Sequence, residues 1–261
     1  MAGLDSNALQ LIPDYCPFTE LINLQFCGQL DNDAMDKWTT KLHSTLTSIE
    51  LYGPYLVRKE SWYRFFEKLG GSLKSFKIRE TPRFDITCTE CIAKNCPNLT
   101  ELGLAQIGPL DGAALKPLFV FDQLTYLDIS DPGVSAPGVP AKSLRDEDVI
   151  PLLDAVGKNL QHLNISGNAD LTDETLGKGI KKNCSNLRVL RLRKLEKLTG
   201  LGISELFSAD WKNEHGGLRE VDVQRVLELN DGALRAIVGH SGKQLEILNL
   251  NSDDQLTEQG L

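Results

Sequence analysis

Apolar residues recur along the chain in a six-residue pattern, Leu-x-x-Φ-x-Φ, where Φ is apolar. Copies begin at Leu21 (Leu24, Phe26), Leu46 (Ile49, Leu51), Leu73 (Phe76, Ile78), Leu99 (Leu102, Leu104) and Leu124 (Leu127, Ile129). Four more begin at Leu160 (Leu163, Ile165), Leu187 (Leu190, Leu192), Leu218 (Val221, Val223) and Leu245 (Leu248, Leu250), at intervals of 25 to 36 residues. The alternation of the last two apolar positions is that of a strand with one buried side, and the stretches between copies carry helical spacing. Thr172, Asn230 and Thr257 stand where they can cap such helices, with the acids Asp173, Asp231 and Glu258 following near the positive end of the helix dipole.

A strand, a turn and a helix cannot bury an apolar face alone, so each unit must stack on its neighbours. The pattern therefore predicts an α/β fold, a leucine-rich-repeat solenoid or horseshoe with a concave parallel β-sheet and outer helices. Residues 1–261 are expected to form a single domain of about nine repeats, truncated at both ends. Leu4, Leu9, Leu11 and Ile12 resemble the helical half of an earlier repeat, and the chain stops as a ninth helix would start. The longest interval holds about ten extra residues at 131–143, where three Pro and two Gly predict an exposed inserted loop. A smaller insertion, Asp210 to His215, is expected on the opposite edge, with no role assigned.

Leucine fills 43 of 261 positions, which suits one structural position reused many times. The hydrophobic share of 41% and the charged share of 25% are those of a globular protein, and 28 basic against 36 acidic residues give a net charge of −8. The apolar runs fall far short of the ~20 residues of a membrane span, and the N-terminus lacks a basic segment followed by an apolar one. The six cysteines are accordingly read as reduced thiols. Cys16, Cys96 and Cys184 precede strands, where a small buried side chain is expected. Cys88, Cys91 and Cys96 supply three thiols where a zinc site wants four ligands, so no metal or other cofactor is expected. The four histidines belong to no catalytic motif, and no enzyme chemistry is legible.

The repeat register predicts which side chains leave the concave sheet. Those positions hold nine basic residues, Lys74, Lys77, Arg79, Arg188, Arg191, Arg193, Lys194, Arg219 and Arg225, and eight acidic ones. Repeat seven is basic at four of five exposed positions, and Arg219 and Arg225 adjoin it on the next strand, about 4.8 Å away. Two readings follow. The cluster is a patch for acidic protein segments or phosphate backbone, or it is a lattice neutralised by neighbours such as Glu220 and Asp222. Only Tyr52 and Tyr126 are exposed aromatics on the sheet, too few for a base-stacking platform.

The segment Ser48-Ile-Glu-Leu-Tyr-Gly-Pro-Tyr-Leu-Val57, with Trp62-Tyr-Arg-Phe-Phe66 and Leu73-Lys-Ser-Phe-Lys-Ile-Arg-Glu-Thr-Pro-Arg-Phe84, resembles the fungal leucine-rich-repeat subunit of the global-genome nucleotide-excision-repair complex. Leu163 to Asn168, Leu171 to Leu176 and Val221 to Val226 also fit it. The resemblance implies a non-catalytic nuclear scaffold that partners a Swi/Snf-type RING ATPase. It further implies an elongin-C-like protein and a cullin, bound through regions outside this segment, and a ubiquitin ligase that recognises damaged DNA. An F-box-type leucine-rich-repeat substrate adaptor of a cullin-RING ligase is the alternative. It shares the cysteine-containing repeats but requires an F-box, which these residues lack.

Overall fold

A computed structural model describes residues 5–108, 110–132, 143–251 and 255–257. The chain is an α/β leucine-rich-repeat solenoid in which parallel strands follow one another in chain order. It divides into two compact units, one up to Phe121 and the other formed by Asp122–Asp131 and the residues from Ser143 onward.

The first unit contains α1 (Ser6–Tyr15), β1 (Leu21–Leu24), α2 (Asn32–Lys41), β2 (Ser48–Tyr52), α3 (Lys59–Leu69), β3 (Ser75–Arg79), α4 (Ile86–Asn95), β4 (Glu101–Ala105) and the short α5 (Gly112–Leu115). Aspartates start four of these five helices, all but α3: Asp5, Asp31 and Asp111 each accept from a backbone N–H three residues on, and Asp85 accepts from Thr87 and Cys88. Each cap satisfies a donor that the first helical turn leaves open, worth about 1 kcal/mol. The core combines the leucine rows with fully buried Trp62, Phe65, Phe66, Phe76 and Phe84. Trp62 lies 5.7 to 6.2 Å from the other four rings.

The second unit contains β5 (Tyr126–Asp128), α6 (Asp146–Val156), β6 (His162–Asn164), a π-helical stretch (Thr175–Lys181), β7 (Val189–Arg191), α7 (Gly200–Leu206), β8 (Glu220–Asp222), α8 (Asp231–Ser241) and β9 (Ile247–Asn249). Its strand cores are almost wholly aliphatic and buried, for example Leu163, Ile165, Leu190, Leu192, Val221 and Val223. Gly177 and Gly179, weak helix formers, sit inside the π-helical stretch. Asn230 and Thr199 cap α8 and α7.

Eight of the nine repeats keep the predicted register. The first does not. Ile22 and Leu24, rather than Leu24 and Phe26, pair with Ile49 and Leu51, so Thr19 occupies the leading position. Leu21 and Phe26 are consequently 60% and 69% exposed. Cys16 also differs from expectation, being exposed, whereas Cys96 and Cys184 are buried.

Two residues beyond the second strand-core position, the chain turns through the left-handed region in eight repeats. Phe26, Glu80, Gln106, Asp131, Lys194 and Arg225 have φ between 47 and 58°, and Gly53 and Gly167 have 76 and 74°. This conformation costs a non-glycine residue roughly 1 to 2 kcal/mol. A hydrogen bond to the following repeat offsets it at several positions: the N–H groups of Gly53, Glu80, Asp131, Gly167, Lys194 and Arg225 donate to Arg79, Ala105, Ser166, Arg193, Gln224 and Asn251. Of the predicted inserted loop, 133–142 lie outside the described residues, as do Leu4 and the start of the ninth helix at 258–261. At the loop's ends, Asp131 N–H donates to Ser166 and Ser143 Oγ accepts from Asp170 N–H.

The smaller insertion is built into the second unit. Trp211 is 3% exposed and stacks 5.0 Å from His240. Asn213 Nδ2 donates to the Leu187 carbonyl, and Glu214 N–H to that of Ser185.

Candidate partner-binding surface

In each unit the open face of the sheet, away from the helices, is a set of columns in which equivalent residues of successive repeats stand side by side. In the second unit the column between the two buried strand positions runs Asp128, Asn164, Arg191, Asp222, Asn249. The preceding column runs Tyr126, His162, Val189, Glu220, Ile247. Asp128, Asn164 and Asp222 are buried, and each accepts a backbone N–H from two residues on. Two acids that sequence counting places on an exposed face thus serve as local caps of the strand ends. Tyr126 stacks on His162 at 4.3 Å.

The basic cluster of the second unit divides into two sets. Arg191 Nε meets Glu220 at 2.6 Å, Arg193 meets Asp131 at 3.5 Å, and Arg219 Nε meets Glu246 at 2.7 Å. Burial works to lower the Arg191 pKa, but the hydrogen bond and charge of Glu220 outweigh it, so the guanidinium is raised above its ordinary value. These three are the lattice that charge alternation allows, the exposed Arg219–Glu246 pair being worth ~0 to 1 kcal/mol. Arg188, Lys194 and Arg225 have no ion pair among the described residues. Arg188 Nη2 instead donates to His215 Nδ1 at 3.2 Å, so the smaller insertion borders the cluster. Lys194 and Arg225 are consecutive members of the left-handed turn column, so the backbone places two unpaired cations on adjacent repeats at the same rim.

In the first unit, Lys77 pairs with Glu101 at 2.6 Å. Lys74, just before β3, and Arg79, its last residue, are exposed without an ion pair among the described residues. Lys77 stands beside Glu50 and Gly103 in its column. The corrected first repeat brings Glu20 to an exposed position, so the open-face positions hold nine basic and nine acidic residues.

Four of the six cysteines, Cys27, Cys88, Cys96 and Cys184, are buried thiols, and Cys16 is exposed. Burial pushes Cys88, Cys96 and Cys184 up to about 12 and Cys27 to about 11, and no group of three or more His, Cys, Asp or Glu among the described residues is placed to hold a metal ion. No described helix is long and apolar enough to cross a membrane.

The sequence missed Phe26, whose ring contacts Tyr52 edge-to-face at 5.2 Å, because the first repeat fits the template in the wrong register. It also missed the cap role of Asp128 and Asp222, which rests on backbone N–H groups that spacing does not reveal.

No family model matches the chain. It is 32% identical over 258 residues to the DNA repair protein rhp7 of Schizosaccharomyces pombe, covering 99% of this chain and 44% of that protein. The chain is a homologue of the Rad7/rhp7 DNA repair proteins. The DNA repair protein RAD7 of Saccharomyces cerevisiae is 32% identical over 252 residues, covering 94% of this chain and 43% of that one. A crystal structure of Rad7 in complex with Elc1 from yeast matches with a TM-score of 0.84 and 29% identity, over 98% of this chain and 63% of that one. The chain therefore spans less than half the length of the two curated Rad7/rhp7 proteins.

Proposed function

We propose that this chain is the leucine-rich-repeat scaffold and recognition part of a nuclear complex that recognises DNA damage and ligates ubiquitin in global-genome nucleotide excision repair. The observation that carries the reading is homology along nearly the whole chain to two DNA repair proteins, with the fold maintained at a TM-score of 0.84. The role is non-catalytic: Asp128 and Asp222 on the open face are used as caps, Arg191, Arg193 and Arg219 as ion pairs, and Cys27, Cys88, Cys96 and Cys184 are buried thiols. Stacked repeats suit such a role because they offer an extended sheet face on which a partner can lie.

The partners are a Swi/Snf-type RING ATPase subunit, an elongin-C-like protein and a cullin, the last two engaged mainly through regions outside this segment. A similar chain crystallised with Elc1 supports the elongin-C-like partner. Arg188, Lys194 and Arg225 are the primary contacts for an acidic protein segment. Arg191, Arg193 and Arg219, with Lys74, Lys77 and Arg79 in the first unit, complete the surface. Damaged DNA is the second candidate for the same cations, and phosphate contact there requires affinity that falls steeply with salt.

Co-purification tests the reading. The tagged chain is expected to recover the ATPase subunit from fungal nuclear extract, and a version lacking 131–143 shows whether that loop contributes. Recovery of F-box-ligase subunits without any repair subunit would overturn it.

A further inference from the structure

Outside the basic surface, the first unit gathers three aromatic rings around one carboxylate. Phe26, Gly53 and Glu80 occupy the left-handed turn position of three consecutive repeats. Gly53, at φ +76°, carries no side chain between the other two, and the Tyr55 ring lies 3.1 Å from where a Cβ would stand. Tyr52 OH donates to Glu80 Oε1 at 2.6 Å, and Tyr55 OH donates to Glu80 Oε2. Phe26 packs edge-to-face on Tyr52 at 5.2 Å, leaving 69% of the residue in solvent, and Tyr55 is 44% exposed. Glu80 has no ion pair among the described residues, although Arg79 precedes it.

We propose that Phe26, Tyr52, Tyr55 and Glu80 form a receptor for an arginine side chain presented by a protein partner. Charge complementarity selects the occupant. Two phenol donors fix both carboxylate oxygens in position, and each oxygen has a further lone pair for an N–H donor. A guanidinium offers paired donors matched to a carboxylate, and it stacks on aromatic faces. Exposed rings with a carboxylate between them suit a cation that is weakly hydrated and flat, which arginine is and lysine is not. The Glu80 hydrogen bond, with burial and the Glu80 charge behind it, pushes the Tyr55 phenol up to about 12 and also raises Tyr52, so both phenols remain donors to the carboxylate. The receptor is built from the first unit alone, so it stands independently of the cationic surface in the second.

Ring resonances of Phe26, Tyr52 and Tyr55, followed by NMR while the 261-residue chain is titrated with the peptide Gly-Gly-Arg-Gly-Gly, test the site. Saturable shifts confined to these rings are expected, with at least about tenfold weaker binding for Glu80→Gln and for the exposed substitution Phe26→Ala. The same peptide with neutral citrulline should leave the rings unmoved. Equal binding by citrulline, undiminished affinity in a folded Glu80→Gln or Phe26→Ala chain, or no saturable shift in the unaltered chain would each overturn the proposal. A lysine peptide that binds as tightly as the arginine peptide would overturn the assignment of a guanidinium.

Discussion

Cys96-Pro97-Asn98-Leu99 and Cys184-Ser185-Asn186-Leu187 tie their repeats to the previous one in the same way. Asn98 and Asn186 donate through Nδ2 to the carbonyls of Gly71 and Lys158, at 2.8 and 2.9 Å. The cysteines fill the space left by a glycine one repeat earlier: a Cβ on Gly70 would stand 2.9 Å from Cys96 Sγ, and one on Gly157 would stand 2.8 Å from Cys184 Sγ. The cysteine half of this pair is legible in the sequence. The glycine half is not, because the contact joins residues more than two dozen positions apart. Gly157→Ala should cost about 1 to 3 kcal/mol in urea unfolding as an overpacked contact. Gly71→Ala, with nothing within 4 Å of its Cβ, should stay within ~0.5 kcal/mol. The thiols separate by the same packing. Exposed Cys16 should react with a disulfide reagent in the native protein at least ten times faster than Cys88, Cys96 or Cys184, whose thiolates burial disfavours. Equal rates would contradict the burial assigned to them.

Between elements, the cap signals do more than start helices. Asp146 in the first turn of α6 accepts Thr172 N–H at 3.0 Å and Thr172 Oγ1 at 2.7 Å from the next repeat. Asp173 does the same to Thr199 at 3.0 and 2.6 Å, and Asp231 to the N–H and hydroxyl of Thr257. For Asp173 and Asp231 the sequence shows a cap residue, Thr172 or Asn230, followed by an acid that helix-dipole chemistry explains locally, whereas Asp146 follows Arg145 and carries no such signal. The acids' second use, clamping the following turn, depends on the stacking of repeats. Asp173→Ala should destabilise the chain by ~1 to 3 kcal/mol by leaving the Thr199 donors unpaired. Burial works to raise the Asp146 pKa, but hydrogen bonds from Thr172 and Thr175 outweigh it, and the folded value lies below the ordinary 3.8. A group lowered on folding stabilises above its unfolded pKa, and that stability disappears as pH falls through the folded value. The Asp146 contribution is therefore present at pH 5 and above and declines below about 4. Asp146→Asn should lower the urea midpoint at pH 7 and make its fall between pH 4 and 3 shallower; an unchanged acid limb would contradict the clamp. The register error in the first repeat has a related cause. A slip of two residues preserves the in-out alternation of a strand, so the pattern of hydrophobicity does not distinguish Ile22 and Leu24 from Leu24 and Phe26.

Across the whole chain, the net charge of −8 says little about the faces a partner meets. Nine basic and nine acidic residues occupy the open-face positions, yet Asp128 and Asp222 cap backbone groups while Lys194 and Arg225 stand unpaired on consecutive turns. Counting located the cluster in repeats seven and eight. It could not separate the paired arginines from the free cations, because pairing is decided by which acid lies across the strand. If the proposed acidic partner lies here, the charge reversal expected to damage its binding most is at the turns rather than at Arg191 and Arg193, where the neighbouring acids would be left unpaired as well. Affinity of the chain for the purified Swi/Snf-type ATPase proposed as its partner, measured for the unaltered protein and for Lys194→Glu/Arg225→Glu at two salt concentrations, tests the central claim most directly. The account predicts binding weakened at least about tenfold at low salt, a smaller difference at high salt, and an unchanged melting temperature. Equal affinity of a folded double variant at low salt would contradict it.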